Sequence, residues 1–193
     1  MARRSFEYRP DRTEGALLAR FLPTKKQRQK LLKWSLYSLL VLVLSLLQDV
    51  LLCKVRILGT TTDLVPCCIM LICMLEGAQR SSIFCVTAAL FFVASGSSPG
   101  YYVMPAITLI AMVVTMFRQG YLRLSFGTVF ACLAVAVFGY EMIVFAVQWI
   151  SGRVLPERMT AFTLKAALSL AVAPLLYPMA AAIEKIGGES WKE

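Results

Sequence analysis

Apolar residues fall into six runs along the chain, and short polar stretches separate them. The runs cover residues 31–52, 60–75, 82–95, 101–117, 124–150 and 160–183. The breaks GAQRS, GSSPG, RQGYLR and SGRVLPER contain the Gly, Pro and Arg residues that commonly end helices. As a helix, the first run is roughly 33 Å long, which is enough to cross a hydrocarbon core of about 30 Å. The pattern predicts an all-α, polytopic membrane domain with about six transmembrane helices over residues 31–186.

The second and third runs are the shortest, and their uncharged parts cover only residues 64–75 and 83–94. Adding the flanking Thr, Gly and Ser residues extends each to about 17 residues, or some 25 Å, which is barely a membrane crossing. The segment LEGAQR between them holds Glu76 and Arg80. Because a guanidinium at mid-bilayer is costly, we expect this segment to be a turn in water between two short crossings. A re-entrant hairpin or a buried helix is the alternative.

Composition supports the membrane assignment and restricts the chemistry. The chain is 59% hydrophobic and 16% charged, with a mean hydropathy of +0.70, whereas a soluble domain is about 45–50% apolar. It has no histidine, and its cysteines lie mainly within apolar runs, so the usual zinc and haem ligands are lacking. No phosphate-binding loop or nucleophile-elbow motif occurs either. We therefore expect a non-enzymatic protein without metal or cofactor.

The positive charge is concentrated at the amino terminus. Half of the twenty Lys and Arg residues precede or open the first apolar run. Such clustering indicates the cytoplasmic side and contact with anionic lipid, and not nucleic-acid binding. We expect a basic cytoplasmic tail over residues 1–30, either an interfacial helix or an unstructured segment, and a cytoplasmic carboxy-terminal tail over residues 187–193.

Two ionisable residues lie within the last two apolar runs. Glu141 is about nine residues from the end of its run, and Lys165 is about five residues into the next. In antiparallel neighbouring helices their depths would differ by roughly 6 Å, which a lysine side chain can span. Three interpretations stay open: a structural Glu141–Lys165 pair, a protonated Glu141 bonded to another helix, or direct handling of an ion or substrate.

Four further residues are candidates for contacts or for bending. Asp49 lies one turn from the end of the first run, either at the headgroup boundary near Lys54 and Arg56 or in contact with an extracytoplasmic partner. Gln148 is a polar group at the same predicted end. Pro174 and Pro178 remove two backbone donors one turn apart, which predicts a kink in the sixth helix.

The order of these features resembles MreD, the small rod-shape-determining membrane protein family. The matching elements are Lys33-Trp34 before a Leu-rich first span, the turn Leu75-Glu76-Gly77 after the second, the Gly/Ser-rich loop 96–100 after the third, and two long final spans. The resemblance covers roughly residues 30–186. The third run departs from the family pattern because it lacks the usual extra glycines and an aspartate near its end.

This resemblance implies a non-enzymatic subunit of the peptidoglycan elongation machinery in the bacterial cytoplasmic membrane. Such a subunit would bind the bitopic protein MreC and help control the elongation transpeptidase and glycosyltransferase. The MreD fold is similar to that of the substrate-binding S components of energy-coupling-factor vitamin importers, so such a component is the alternative. An importer should line a cavity with convergent polar groups, and beyond Asp49, Glu141, Gln148 and Lys165 the sequence offers few, which disfavours this alternative.

Overall fold

The computed structural model describes residues 25–52, 60–122 and 125–186, and this part of the chain is all-helical. The predicted tails lie largely outside the described residues, as do Lys54 and Arg56. The helices are α1 (Lys25–Leu47), continued by a π-helical turn (Gln48–Leu52), α2 (Leu64–Glu76), α3 (Ala78–Ala94), α4 (Val103–Tyr121), α5 (Phe126–Ile150) and α6 (Met159–Ile186). A short 3-10 helix, Pro156–Arg158, precedes α6.

The short helix α2 lies at the centre of the bundle. Its sequence LVPCCIMLICMLE is apolar around the whole circumference, as in helices that are buried on every side. All thirteen of its residues are buried, and α2 contacts each of the other five helices. Those five surround it as a ring in the order α1, α3, α4, α5 and α6, and α6 closes the ring against α1.

Four of the helices are long and apolar enough to cross a membrane. They contain the segments Arg28–Val50, Val103–Tyr121, Phe126–Ile150 and Pro156–Ile186. The described part of the chain is therefore helical, with four candidate membrane-spanning helices. The other two, α2 and α3, have 13 and 17 residues. The count of six spans stays a prediction.

The polar break between α2 and α3 is much shorter than predicted. Gly77 alone separates the two helices, and Ala78 to Ser81 already belong to α3. Gly77 has φ 86° and ψ 157°, a backbone conformation that is essentially restricted to glycine. A Cβ at this position would also clash with the amide of the Gln119 side chain. One glycine therefore reverses the chain where the polar pattern predicted a five-residue loop.

Helix α6 continues through both of its prolines. Pro174 and Pro178 lie inside the single helix Met159–Ile186, on its exposed side. The opposite side buries small residues, including Ala166, Ala173 and Ala180, which allow the backbones of neighbouring helices to approach closely. The predicted kink stays a prediction, and the prolines lie away from the central helix.

Candidate functional site

Three charged residues meet where α2 begins, and we call Asp63, Glu141 and Lys165 the Lys165 cluster. Lys165 on α6 forms an ion pair with Asp63, and its Nζ lies 3.6 Å from Oε1 of Glu141 on α5. The Glu141–Lys165 proximity expected from helix depth is present. The closer partner, Asp63, was missed because it follows three threonines and reads as an exposed helix start. The sequence did contain one signal for Asp63, namely that this acidic residue directly precedes a wholly apolar run.

The π-helical turn at the end of α1 holds the amino end of α2. Oε1 of Gln48 accepts hydrogen bonds from the backbone N–H groups of Leu64 (3.0 Å) and Val65 (3.1 Å). Its Nε2 donates to Oδ1 of Asp63 at 3.4 Å, and the Asp63 backbone N–H donates to Oγ of Ser169 at 2.9 Å. Gln48 therefore satisfies donors that a buried helix start would otherwise leave unpaired.

The Lys165 cluster places one ammonium beside two carboxylates. Glu141 is fully buried, and within the described residues neither of its carboxylate oxygens has a hydrogen-bond partner. A buried carboxylate without full compensation costs free energy, so the second negative charge is unfavourable there unless a cation or a proton accompanies it. This imbalance distinguishes the cluster from a simple structural ion pair.

A cavity of about 590 Å³ adjoins the Lys165 cluster, and we call it the Lys165 cavity. Its volume falls within the range of about 300–1,000 Å³ that is typical of small-molecule sites. The polar residues that line it are Gln48, Asp49, Thr60, Thr61, Thr62, Asp63, Ser97, Ser98, Gln148, Arg158 and Lys165. The structure therefore brings three predicted candidates, Asp49, Gln148 and Lys165, to one cavity, while Glu141 contacts Lys165 but does not line the cavity.

Several hydrogen-bonding groups of the cavity are not used by the protein itself. Oγ1 of Thr62 is buried and has no partner among the described residues, and in the same part of the chain neither the Gln148 amide nor the Arg158 guanidinium has one. Asp49 is exposed and accepts a hydrogen bond from Oγ of Ser97 at 2.5 Å. Unused donors and acceptors on a concave surface are the usual feature of a ligand site.

A second charged cluster lies at the other end of α2, and we call Lys33, Tyr37 and Glu76 the Glu76 cluster. Nζ of Lys33 lies 2.5 Å from Oε1 of Glu76, and the Tyr37 hydroxyl donates to the same oxygen at 2.8 Å. The Tyr37 hydroxyl is also 3.4 Å from the Ala180 carbonyl oxygen on α6. All three cluster residues are buried. The cluster therefore ties α1, α2 and α6 together.

The turn that was predicted to lie in water is thus only partly exposed. Arg80 is exposed, whereas Glu76 is only 4% exposed and paired, so placing Glu76 in an aqueous turn was wrong. The reason is that Lys33 on α1 supplies the opposite charge, which makes burial of the carboxylate tolerable. Pairing between residues 43 positions apart in the sequence carries no local signal.

Aromatic rings cover the Glu76 cluster. The ring centroid of Trp34 lies 5.9 Å from that of Tyr37 and 5.4 Å from that of Phe84, and Tyr37 and Phe84 are 6.1 Å apart. Such contacts limit the access of water and strengthen the electrostatic attraction within the cluster. Trp34 therefore joins α1 to α3 next to the charged pair.

Comparison with known proteins gives no relative for this chain. It matches no family model, no curated protein and no solved structure.

Proposed function

We propose that the chain is an MreD-like, non-enzymatic membrane subunit of the bacterial cell-wall elongation complex. In this role it binds an MreC-like bitopic membrane protein and helps control peptidoglycan synthesis and rod cell shape. It lies in the cytoplasmic membrane with both termini in the cytoplasm, as the distribution of positive charge favours. Its basic amino-terminal tail contacts anionic lipid.

The observation that carries this proposal is the contact between two motifs of the resemblance. Lys33 of the Lys-Trp motif forms an ion pair with Glu76 of the Leu-Glu-Gly motif, and Trp34 packs on the neighbouring rings. Gly77 supplies the backbone conformation that lets α3 begin at once. These short motifs are far apart in the sequence but act as one structural unit, which supports reading them as a family signature and not as a coincidence of spacing.

The test is co-purification with a defined partner. We expect the tagged chain, co-expressed with the MreC-like protein of the same genome and extracted in mild detergent, to retain that protein through affinity purification. A bitopic membrane protein with an unrelated coiled coil is the matched control and should be lost. Recovery of two ATP-binding-cassette subunits from host membranes, with no retention of the MreC-like protein, would contradict the proposal.

The Lys165 cavity favours a second candidate, the S component of an energy-coupling-factor importer or another small membrane transporter. The cavity is lined by more polar groups than the sequence indicated, because Thr62, Asp63 and Arg158 join the predicted residues. Such a component would bind its substrate there and associate with ATP-binding-cassette subunits. The same co-purification experiment separates the two candidates, since each requires a different partner.

A further inference from the structure

We propose that the Lys165 cavity binds a small zwitterion, with an anionic group that pairs with Arg158 and a primary ammonium that pairs with Asp49. This inference rests on the cavity and holds with or without an MreC-like partner. If the importer candidate is correct, the inference names the chemical class of its substrate.

The positions of the charges decide which groups are available to a ligand. Lys165 is already engaged by Asp63 and Glu141. Arg158 has no ion-pair partner among the described residues, and the only contact to Asp49 within them is the hydrogen bond from Ser97. Asp49 and Arg158 line the same cavity without forming an ion pair with each other. An anion and an ammonium on one ligand would satisfy both residues.

Neutral groups add hydrogen bonds between these charges. The Thr62 hydroxyl is buried, lines the cavity and has no partner within the described chain. The Gln148 amide also lines the cavity and offers both a donor and an acceptor. A ligand with peptide-like or hydroxyl groups would use these atoms, whereas a purely apolar ligand would leave the Thr62 hydroxyl unsatisfied.

Other ligand classes fit the charges less well. Within the described residues, the charged groups that line the cavity are Asp49, Asp63, Arg158 and Lys165, so two negative charges match two positive ones and a simple anion or a simple cation would unbalance them. The described residues hold no group of three His, Cys, Asp or Glu that would bind a metal ion. The amino end of α2 is not an anion site either, because Gln48 already occupies its first two donors. A zwitterion leaves the charge balance of the cavity unchanged.

Two kinds of molecule carry both an ammonium and an anionic group. A free amino acid or short peptide carries an ammonium and a carboxylate, and a phosphatidylethanolamine headgroup carries an ammonium and a phosphate. Both groups form charge-assisted hydrogen bonds with Asp49 and Arg158. Phosphatidylcholine is the matched control for the lipid, because its quaternary ammonium has no N–H donor.

The experiment measures binding to the purified, delipidated full chain in detergent. Glycine, alanine, glutamate and glycylglycine are compared with ethylamine and acetate, and phosphatidylethanolamine is compared with phosphatidylcholine. Thermal unfolding and native mass spectrometry report binding. We expect a midpoint shift that grows with the concentration of a zwitterion and is absent with its matched control. A response to the free compounds identifies a soluble ligand, and a response to phosphatidylethanolamine alone identifies a lipid headgroup.

Variants at the rim test the assigned roles. Both Asp49 and Arg158 are exposed, so Asp49→Asn and Arg158→Gln should fold. Each should weaken binding by about ten- to a hundredfold, because a charge-assisted hydrogen bond is lost. Arg153→Gln removes an exposed charge that does not line the cavity and should change nothing. The inference is overturned if no zwitterion outperforms its control, or if Arg158→Gln binds as tightly as the unaltered chain.

Discussion

The two ends of α2 each carry a lysine next to a buried carboxylate, yet they are built differently. At the Glu76 end, Lys33 faces Glu76, a tyrosine hydroxyl completes the contact, and aromatic rings cover it. At the Lys165 end, one lysine faces both Asp63 and Glu141, and a cavity adjoins them. The first arrangement is satisfied by the protein itself. The second leaves hydrogen-bonding groups of the Lys165 cavity available to a ligand.

This difference assigns separate tasks to the two ends. The Lys33–Glu76 ion pair, with the Tyr37 hydroxyl beside the Ala180 carbonyl, fixes how α1, α2 and α6 pack, as buried ion pairs in some proteins specify one arrangement of helices. An unbalanced cluster beside unused hydrogen-bonding groups is suited to ligand binding. We therefore expect substitutions at the Glu76 end to affect mainly folding, and rim substitutions at the Lys165 end to affect mainly binding.

The largest loss of stability is expected from removing one partner of the Lys33–Glu76 ion pair. Lys33→Ala leaves the Glu76 carboxylate buried without its cation, which should cost about 3–5 kcal/mol of unfolding free energy. The thermal midpoint in detergent should fall by about 10 °C. Lys30→Ala is the matched control, because Lys30 is exposed on the same helix.

A double substitution separates the charge from the packing. Lys33→Met with Glu76→Gln removes both charges and should recover most of the lost stability, since no buried charge is left unpaired. A double variant as unstable as Lys33→Ala would show that the ion pair is not what holds this end.

A smaller loss is expected from Lys165→Ala. It also leaves carboxylates without a cation, but the Lys165 side chain is 18% exposed beside the cavity, so water can compensate in part. We expect a cost of about 2–3 kcal/mol of unfolding free energy, measured by thermal unfolding.

Glu141→Gln should cost less than about 1 kcal/mol, because Lys165 keeps its ion pair with Asp63. A Glu141→Gln variant less stable than Lys165→Ala would contradict the assigned pairing.

Gly77→Ala should cost about 2 kcal/mol from backbone strain alone. The added Cβ also clashes with the Gln119 side chain. Combining Gly77→Ala with Gln119→Ala should therefore recover the stability lost to the clash, but not the stability lost to backbone strain. Gly139→Ala is the control, because its added Cβ meets nothing within 4 Å. Chemical denaturation of the three variants measures the effects. Equal stability of Gly77→Ala and Gly139→Ala would refute this role of Gly77.

The two ends of the bundle should face opposite sides of the membrane. Gln79 lies in the first turn of α3 and Ser98 lies in the loop after its other end. Neither Gln79→Cys nor Ser98→Cys on a cysteine-free background should change stability appreciably. Labelling with an impermeant maleimide should modify Gln79→Cys only from the cytoplasmic side and Ser98→Cys only from the other. Modification of both from one side would mean that α3 does not cross.

Much of the helix pattern could be predicted from apolar runs, whereas the tertiary pairs could not. The long apolar runs gave α4 and α5 to within a few residues at each end, because a run of that length has few other stable conformations in a membrane. The relation between Glu141 and Lys165 followed from depth along neighbouring helices. The ion pairs of Asp63 and Lys33 were missed because their partners, Lys165 and Glu76, are distant in the sequence. So short an apolar run as that of α2 was also consistent with a membrane crossing or a re-entrant hairpin, so its pattern did not determine the central position of this helix.

Depletion of the chain in its host cell, followed by microscopy of cell shape, tests the proposed role most directly. We expect cells to lose their rod shape and become round or wide, and we expect the Lys33→Met, Glu76→Gln double variant to restore rods. Retention of rod shape after depletion, with loss of uptake of a small zwitterion, would contradict the role in wall elongation and favour the importer.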